Sequence, residues 1–250
     1  MNVIYRQYLH DFVRQKRALD ARHGHTPPAP FRGWHERGYL PHYDAPGAIQ
    51  MLTFRLNDAM PAARRSEWEA LRAIENERER RTQLEAYLDR GYGACHLGRP
   101  QIGELVEQAL LHFDARRYRL IAWVVMPNHV HVLCELWLVP LDEVLHNWKR
   151  RSALAANRLL GLNGRFWQPE YWDRYMRDRE HAIKALHYIE SNPVKAGLVR
   201  TPDEWPFSSA NPKWHWAMKE GQTRLRGGHL MHENWKDGPQ PERSAGLDAD

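Results

Sequence analysis

The chain has 250 residues, 42% apolar and 27% charged, with a net charge of +5. That mixture suits one sizeable folded core and excludes wholesale disorder. No stretch reaches the roughly 18 uncharged apolar residues of a membrane helix, because the richest run, Leu120 to Pro140, is interrupted by Asn128, His129, His131 and Glu135.

In chain order, the first feature is a basic arm. Residues 1–43 carry Arg6, Arg14, Lys16, Arg17, Arg22, Arg32 and Arg37 against Asp11, Asp20 and Glu36, so most of the excess charge lies there, in a form suited to a polyanion. Within it, residues 3–19 place Ile4, Tyr8, Phe12 and Leu19 near helical spacing, and HTPPAP (25–30) reads as a linker. Alternation over 50–56 predicts a strand. Residues 64–90 hold seven basic and seven acidic side chains and read as a solvated helix, a peripheral addition inside an insertion spanning about 60–92. Residues 101–113 predict a helix with one apolar face. Residues 118–126 read as a central strand covered on both faces, Pro127-Asn128 as a turn, and 129–137 as the second strand of a hairpin. A helix is predicted over 141–161, a short strand and turn within the aromatic segment 165–177, and a helix over 179–192 stopped by Pro193. From residue 211 onward the chain reads as an irregular tail. The order predicts an α+β fold: a ferredoxin-like split βαβ antiparallel sheet with helices on one face, plus an N-terminal arm and a C-terminal tail. Only Cys95 and Cys134 are present, and the start lacks an apolar leader, which fits a reducing cytosol and a cytoplasmic protein.

Two patterns carry chemistry. His129 and His131 are two apart on a predicted strand, so both imidazoles face one side and can grip one divalent metal while Val130 turns to the core with Val132 and Cys134. On the 179–192 helix, Tyr188 and Asn192 stand one turn apart, with His181 in the same arc. A phenol can act as a nucleophile and an amide oxygen can ligate a hard cation; equally, these could be a half-exposed tyrosine and a helix-ending asparagine. Tyr171 and Tyr175 are rival nucleophiles, and His181 and His187 read as solvated helix histidines.

Four stretches in this order, WVVMPNHVHVL (123–133), FWQPEYWDRYMRD (166–178), HYIESNPVKAGLV (187–199) and EWPFSSA (204–210), closely resemble the REP-associated tyrosine transposases of the single-tyrosine HUH superfamily. RGYLPHYDAPGAIQMLTFRL (37–56) is similar to the usual start of that domain. The resemblance divides the chain into an arm and linker (1–36), a transposase domain (37–210) and a tail (211–250). It implies that His129, His131 and Asn192 hold Mg²⁺ or Mn²⁺, and that Tyr188 attacks a phosphodiester to give a 5′-phosphotyrosine link. It also implies a substrate, single-stranded or hairpin DNA with REP-like palindromes, and no membrane partner. The chain would act as a monomer or homodimer. The aromatic and basic residues Arg165, Trp167, Tyr171, Trp172, Arg174, Tyr175 and Arg177, with Lys149, Arg150 and Arg151 on the preceding helix, are expected to stack unpaired bases and pair with phosphates. A domesticated hairpin-binding protein with little turnover is the alternative, and a relaxase-like nuclease a more distant one.

Overall fold

The computed structural model describes residues 30–37 and 40–214, together with Arg14. The expected helix over 3–19, nearly all of the linker and the tail beyond residue 214 lie outside the described residues. β1 (Gly33–Arg37) and β2 (Leu40–Asp44) form a separate antiparallel hairpin, which straddles the position where the arm was expected to end. β3 (Ile49–Arg55), β4 (Tyr118–Val125), β5 (His129–Leu136) and β6 (Trp172–Tyr175) form one antiparallel sheet in the order β4-β5-β3-β6. α3 (Pro100–Leu111) links β3 to β4, and α4 (Leu141–Leu160) links β5 to β6. The sheet is therefore the α+β split βαβ arrangement, with its first and third strands side by side at the centre. α1 (Arg65–Arg72) and α2 (Glu77–Asp89) are inserted between β3 and α3, and α5 (Arg179–Lys195) follows β6. Among the described residues no helix is long and apolar enough to cross a membrane.

Helices on one face only is the part of the expected fold that needs correcting. α3 and α4 cover one face, burying Leu52, Phe54, Val130, Val132 and Cys134 beneath Ile102, Val106, Leu145 and Trp148. α5 covers the other, where Ala182, Ala185 and Ile189 pack on Ile49, Val124 and Leu133. The cause is in the strands: β3 and β5 are buried along their whole length, and a strand apolar on both sides needs a cover on both. Alternation along β5 sends Val130, Val132 and Cys134 to the α3/α4 side, as expected, and leaves His129 and His131 on the α5 side.

The inserted segment is not a peripheral addition. It breaks at Ile74-Glu75, and α2 restarts at Asn76, whose side chain accepts from the Glu79 N–H at 3.0 Å. The Arg55 guanidinium lies over Trp68 of α1 (5.0 Å) and Trp172 of β6 (4.6 Å), fastening α1 to the sheet edge. α2 buries Leu84, Tyr87 and Leu88. The charge count was correct, but one turn of side chains points inward.

Nor does Pro193 stop its helix. α5 runs on to Lys195 with Pro193 inside it, because a proline in the last turn removes a single N–H bond. The end is closed instead by Ala196 N–H to Asn192 O (3.0 Å), Leu198 N–H to Pro193 O (2.9 Å) and Gly197 at φ +70.

Residues 204–210 run along β4. Val125 N–H donates to Phe207 O and Ser209 N–H to Trp123 O, each at 2.9 Å. Glu107 of α3 anchors this segment, accepting from Trp123 Nε1 (3.0 Å), Trp214 Nε1 (3.3 Å) and Lys213 Nζ (2.6 Å). Phe207 in turn sits on Gly103, where a Cβ would lie 2.6 Å from Phe207 Cε2 and 2.9 Å from Leu97 O. Gly103→Ala should therefore destabilise. Overpacking costs about 1–3 kcal/mol, against a gain of about 1 kcal/mol in helix propensity. Thermal unfolding should show a lower Tm; an unchanged or higher Tm would mean that Phe207 moves aside freely.

Candidate active site

The histidine pair is buried: His129 and His131 are 1% and 0% exposed. Their Nε2 atoms are 3.1 Å apart. Each Nδ1 is held from behind, His129 by Asn128 Oδ1 and His131 by Thr53 Oγ1, both at 2.7 Å. The Asn128 amide nitrogen donates to two carbonyl oxygens, Leu88 O and Tyr92 O, each at 3.1 Å. Carbonyls only accept, so Asn128 must turn its own oxygen to His129. His129 then carries its proton on Nδ1 and presents the Nε2 lone pair. This is the orienting support that metal-binding histidines receive. Burial keeps both imidazoles neutral, helped by His131 beside His129, since the two rings disfavour charging one another, and by the Lys195 ammonium near His131. His129 is held well below the usual range and His131 is pulled down to about 3.

α5 lays Tyr188 and Asn192 against this pair. The Tyr188 ring stands edge-on to His131 with centroids 5.5 Å apart, and Asn192 Nδ2 donates to the Tyr188 hydroxyl at 3.4 Å. Lys195 Nζ sits 4.3 Å above the Tyr188 ring. Asn192 is fully buried and its Oδ1 has no hydrogen-bond partner. α2 closes the site from the other side. The Glu85 carboxylate lies beside the Tyr188 hydroxyl, and Asp89, one turn on, beside the Asn192 side chain. Asp89 Oδ1 lies 3.7 Å from His129 Nε2 and is buried without a hydrogen-bond partner. Burial pushes the Asp89 carboxyl up to about 6 and also raises Glu85. The Tyr188 phenol is raised by burial first and by the Glu85 and Asp89 charges next. Among the described residues no group of three or more His, Cys, Asp or Glu side chains is already gathered as a metal site. The donors beside the histidines include the Asn192 amide oxygen, which lies outside that set.

A cavity of about 350 Å³ adjoins the site, lined by Thr53, Arg72, Arg80, Arg81, Glu85, Trp172 and Arg174 among others. Thr53 pairs with Trp172, and Met51 with Arg174, across β3 and β6, so these side chains share the face that carries the histidines.

The structure sorts the residues expected to contact DNA. Trp172 and Arg174 line this cavity. Trp167 does not offer a stacking surface: it is buried, its Nε1 donates to Ser152 Oγ at 2.9 Å, and it packs edge-on to Phe54. Lys149 fastens a loop, with Nζ donating to the carbonyls of Gln168, Pro169 and Glu170 at 2.9, 3.0 and 3.3 Å. Lys149, Arg150 and Arg151 lie on α4, which covers the face away from Tyr188, and Arg151 stands 3.4 Å from His112 Nδ1. Arg165 and Arg177 are exposed. Tyr171 packs near His42 and Tyr175 against Tyr43, so neither rival tyrosine has the ring contact with His131 that Tyr188 makes. His181 sits at the far end of α5, its Nδ1 near Arg177 N, away from the pair. Thr53, Glu85, Asp89 and the turn residue Asn128 are site residues that sequence reasoning missed. Only Glu85 and Asp89 left a trace, as acidic residues at i and i+4.

No protein-family model matches the chain. It is 33% identical over 96 residues to the REP-associated tyrosine transposase of Escherichia coli K12, a match covering 38% of this chain and 55% of that protein. It is 26% identical over 103 residues to a Haemophilus influenzae protein carrying the same family name, covering 37% and 58%. The chain thus spans rather more than half the length of the curated relatives it matches. A solved REP-associated tyrosine transposase bound to a REP hairpin aligns over 82% of this chain and 98% of that one, at 20% identity and a TM-score of 0.44. The chain is related in sequence to REP-associated tyrosine transposases, the family that its motifs resemble.

Proposed function

We propose that the protein is a DNA strand-transferase of the single-tyrosine transposase type, with Tyr188 as nucleophile and His129, His131 and Asn192 as holders of Mg²⁺ or Mn²⁺. The observation that carries this reading is the convergence of Tyr188 and Asn192 from α5 on a buried histidine pair whose Nε2 atoms face each other. The donor set fits a divalent cation: two neutral imidazoles with fixed backs and an unsatisfied buried amide oxygen. Such a cation would polarise the scissile phosphate and offset the charge that develops there. The chain's own residues do the rest. Tyr188 attacks phosphorus, the bond to the 3′ oxygen breaks, and a 5′-phosphotyrosine forms. Glu85, beside the phenol, receives its proton, while the departing 3′ oxygen takes one from solvent. Keeping the phosphodiester energy in the tyrosyl bond allows a 3′-hydroxyl to reverse the step and join strands.

The substrate we infer is single-stranded DNA flanking or ending in a palindromic hairpin, with the arginine-lined cavity receiving the unpaired strand. The test is incubation of the full chain with a labelled hairpin oligonucleotide and Mn²⁺. A covalent protein–DNA adduct is expected, and none in EDTA. Hairpin binding with no adduct would favour a domesticated binding protein instead. Arg174→Ala should weaken DNA binding and lower the slope of log affinity against log salt by about 0.7 if it contacts one single-strand phosphate. Superimposed salt plots for mutant and native chain would remove Arg174 from the DNA path.

A further inference from the structure

The inserted helix α2 carries a carboxylate to the centre of the site, and we infer that Asp89 is a ligand of the cation held by His129, His131 and Asn192. This rests on the metal reading of the histidine pair. Three kinds of observation converge on it. His129 must present the Nε2 lone pair, because Asn128 fixes its proton on Nδ1. Asp89 Oδ1, an acceptor only, lies 3.7 Å from that lone pair and is buried with no hydrogen-bond partner. Asn192, which lies next to Asp89, is fully buried and has an equally orphaned Oδ1. Three buried acceptor atoms thus belong to this one cluster, and the single N–H that His131 Nε2 can offer satisfies only one of them. Buried acceptors without donors are costly. A divalent cation satisfies them together.

The distances agree with this. Donors about 2.1 Å from a shared ion stand about 3.0 Å apart at right angles and about 3.4 Å apart in a tetrahedron. The histidine pair, at 3.1 Å, already has this spacing. Asp89, at 3.7 Å from His129, needs only a small rotation of its carboxylate. Asp89 lies at the last residue of α2, where the backbone is held by Leu88 O and Tyr92 O, through Asn128, to the strand that carries the histidines. The insertion would thus complete the ligand set: two nitrogens, an amide oxygen and a carboxylate oxygen, a mixture that suits Mn²⁺ and Mg²⁺.

Metal binding tests this without DNA or turnover. The EDTA-stripped, dialysed full chain is titrated calorimetrically with Mn²⁺, as are Asp89→Asn and His131→Ala. The native chain should take up one ion, His131→Ala none, and Asp89→Asn should bind about tenfold more weakly or worse. Because a residue acting only through Asn192 could also weaken binding, Asp89→Cys supplies a direct readout. With Cd²⁺ it should develop a thiolate-to-metal absorption band that the native chain, with Cys95 and Cys134, lacks. Asp89→Asn binding Mn²⁺ as tightly as the native chain, or Asp89→Cys showing no such band, overturns this inference alone. A native chain that takes up no Mn²⁺, or His131→Ala that binds it unchanged, overturns the two-histidine reading and this inference with it. A cooperative melting transition in EDTA, above the temperature of the titration, shows for each variant that it is folded.

Discussion

Tyr188→Phe should leave a folded protein that still binds hairpin DNA and forms no covalent adduct. Only the phenolic oxygen is removed. The ring keeps its edge contact with His131 and its place beneath Lys195. The hydroxyl's hydrogen-bond partner is Asn192, at 3.4 Å, with Glu85 alongside, so the expected loss of stability is about 1 kcal/mol, seen as a small drop in Tm. The chemical loss is of another order. Removing the nucleophile from an enzyme that works through a covalent intermediate costs about a million-fold. Denaturing gels of a labelled hairpin reaction would show the adduct band with the native chain only. A band that persists would move the nucleophile to Tyr171 or Tyr175, whose rings lie against His42 and Tyr43 rather than the histidines.

His131→Ala should abolish cleavage while DNA affinity changes by less than about threefold, since phosphate contacts rather than the cation carry most of the binding. The mutation also leaves the Thr53 hydroxyl without its partner at 2.7 Å and opens a small void, so a Tm drop accompanies it. His131→Asn, which fills more of the space and keeps a polar group, separates the effects: its Tm should recover in part and its cleavage should not. Adding Mn²⁺ to the native chain in EDTA should restore activity in proportion to free metal. Cleavage that is indifferent to EDTA would defeat the metal reading.

Regular periods put the His129/His131 pair and the Tyr188/Asn192 pair each on one face, two along a strand and four along a helix. Spacing alone left both open to ordinary structural readings, and the resemblance of the surrounding motifs is what singled them out. What joins the two pairs was not legible. Glu85 and Asp89 also stand at helical spacing, but in a segment where seven acidic residues alternate with seven basic ones, nothing marks the two that turn inward. Their direction is decided by Leu84, Tyr87 and Leu88, which are buried, Tyr87 against Trp68 and Tyr92, and fix the rotation of α2. Asn128 looked like an ordinary turn residue, and its amide's grip on Leu88 O and Tyr92 O is a contact across 36 to 40 residues. Trp167 and Lys149 failed in the opposite direction. An aromatic next to arginines reads as a nucleic-acid surface, whereas Trp167 Nε1 finds Ser152 in the core and Lys149 finds three carbonyls. The two-faced covering of the sheet was implicit in the apolar run Leu120–Val125 of β4, which no single layer of helices could shield, although β4 is an outer strand and not the central one expected.

The segment over 204–210 has a consequence for how copies of this chain can meet. β4 is an outer strand of the sheet, and an outer strand offers open N–H and C=O groups to any passing strand. Here Phe207 and Ser209 already occupy those groups on Val125 and Trp123, and Glu107 ties the same stretch down through Lys213 and Trp214. The opposite border, β6, is only four residues long and has the β1–β2 hairpin against it, with His42 bonded to Asp173. Neither border invites growth by strand addition. Among the described residues, self-association by extending this four-stranded sheet at either border is thereby disfavoured.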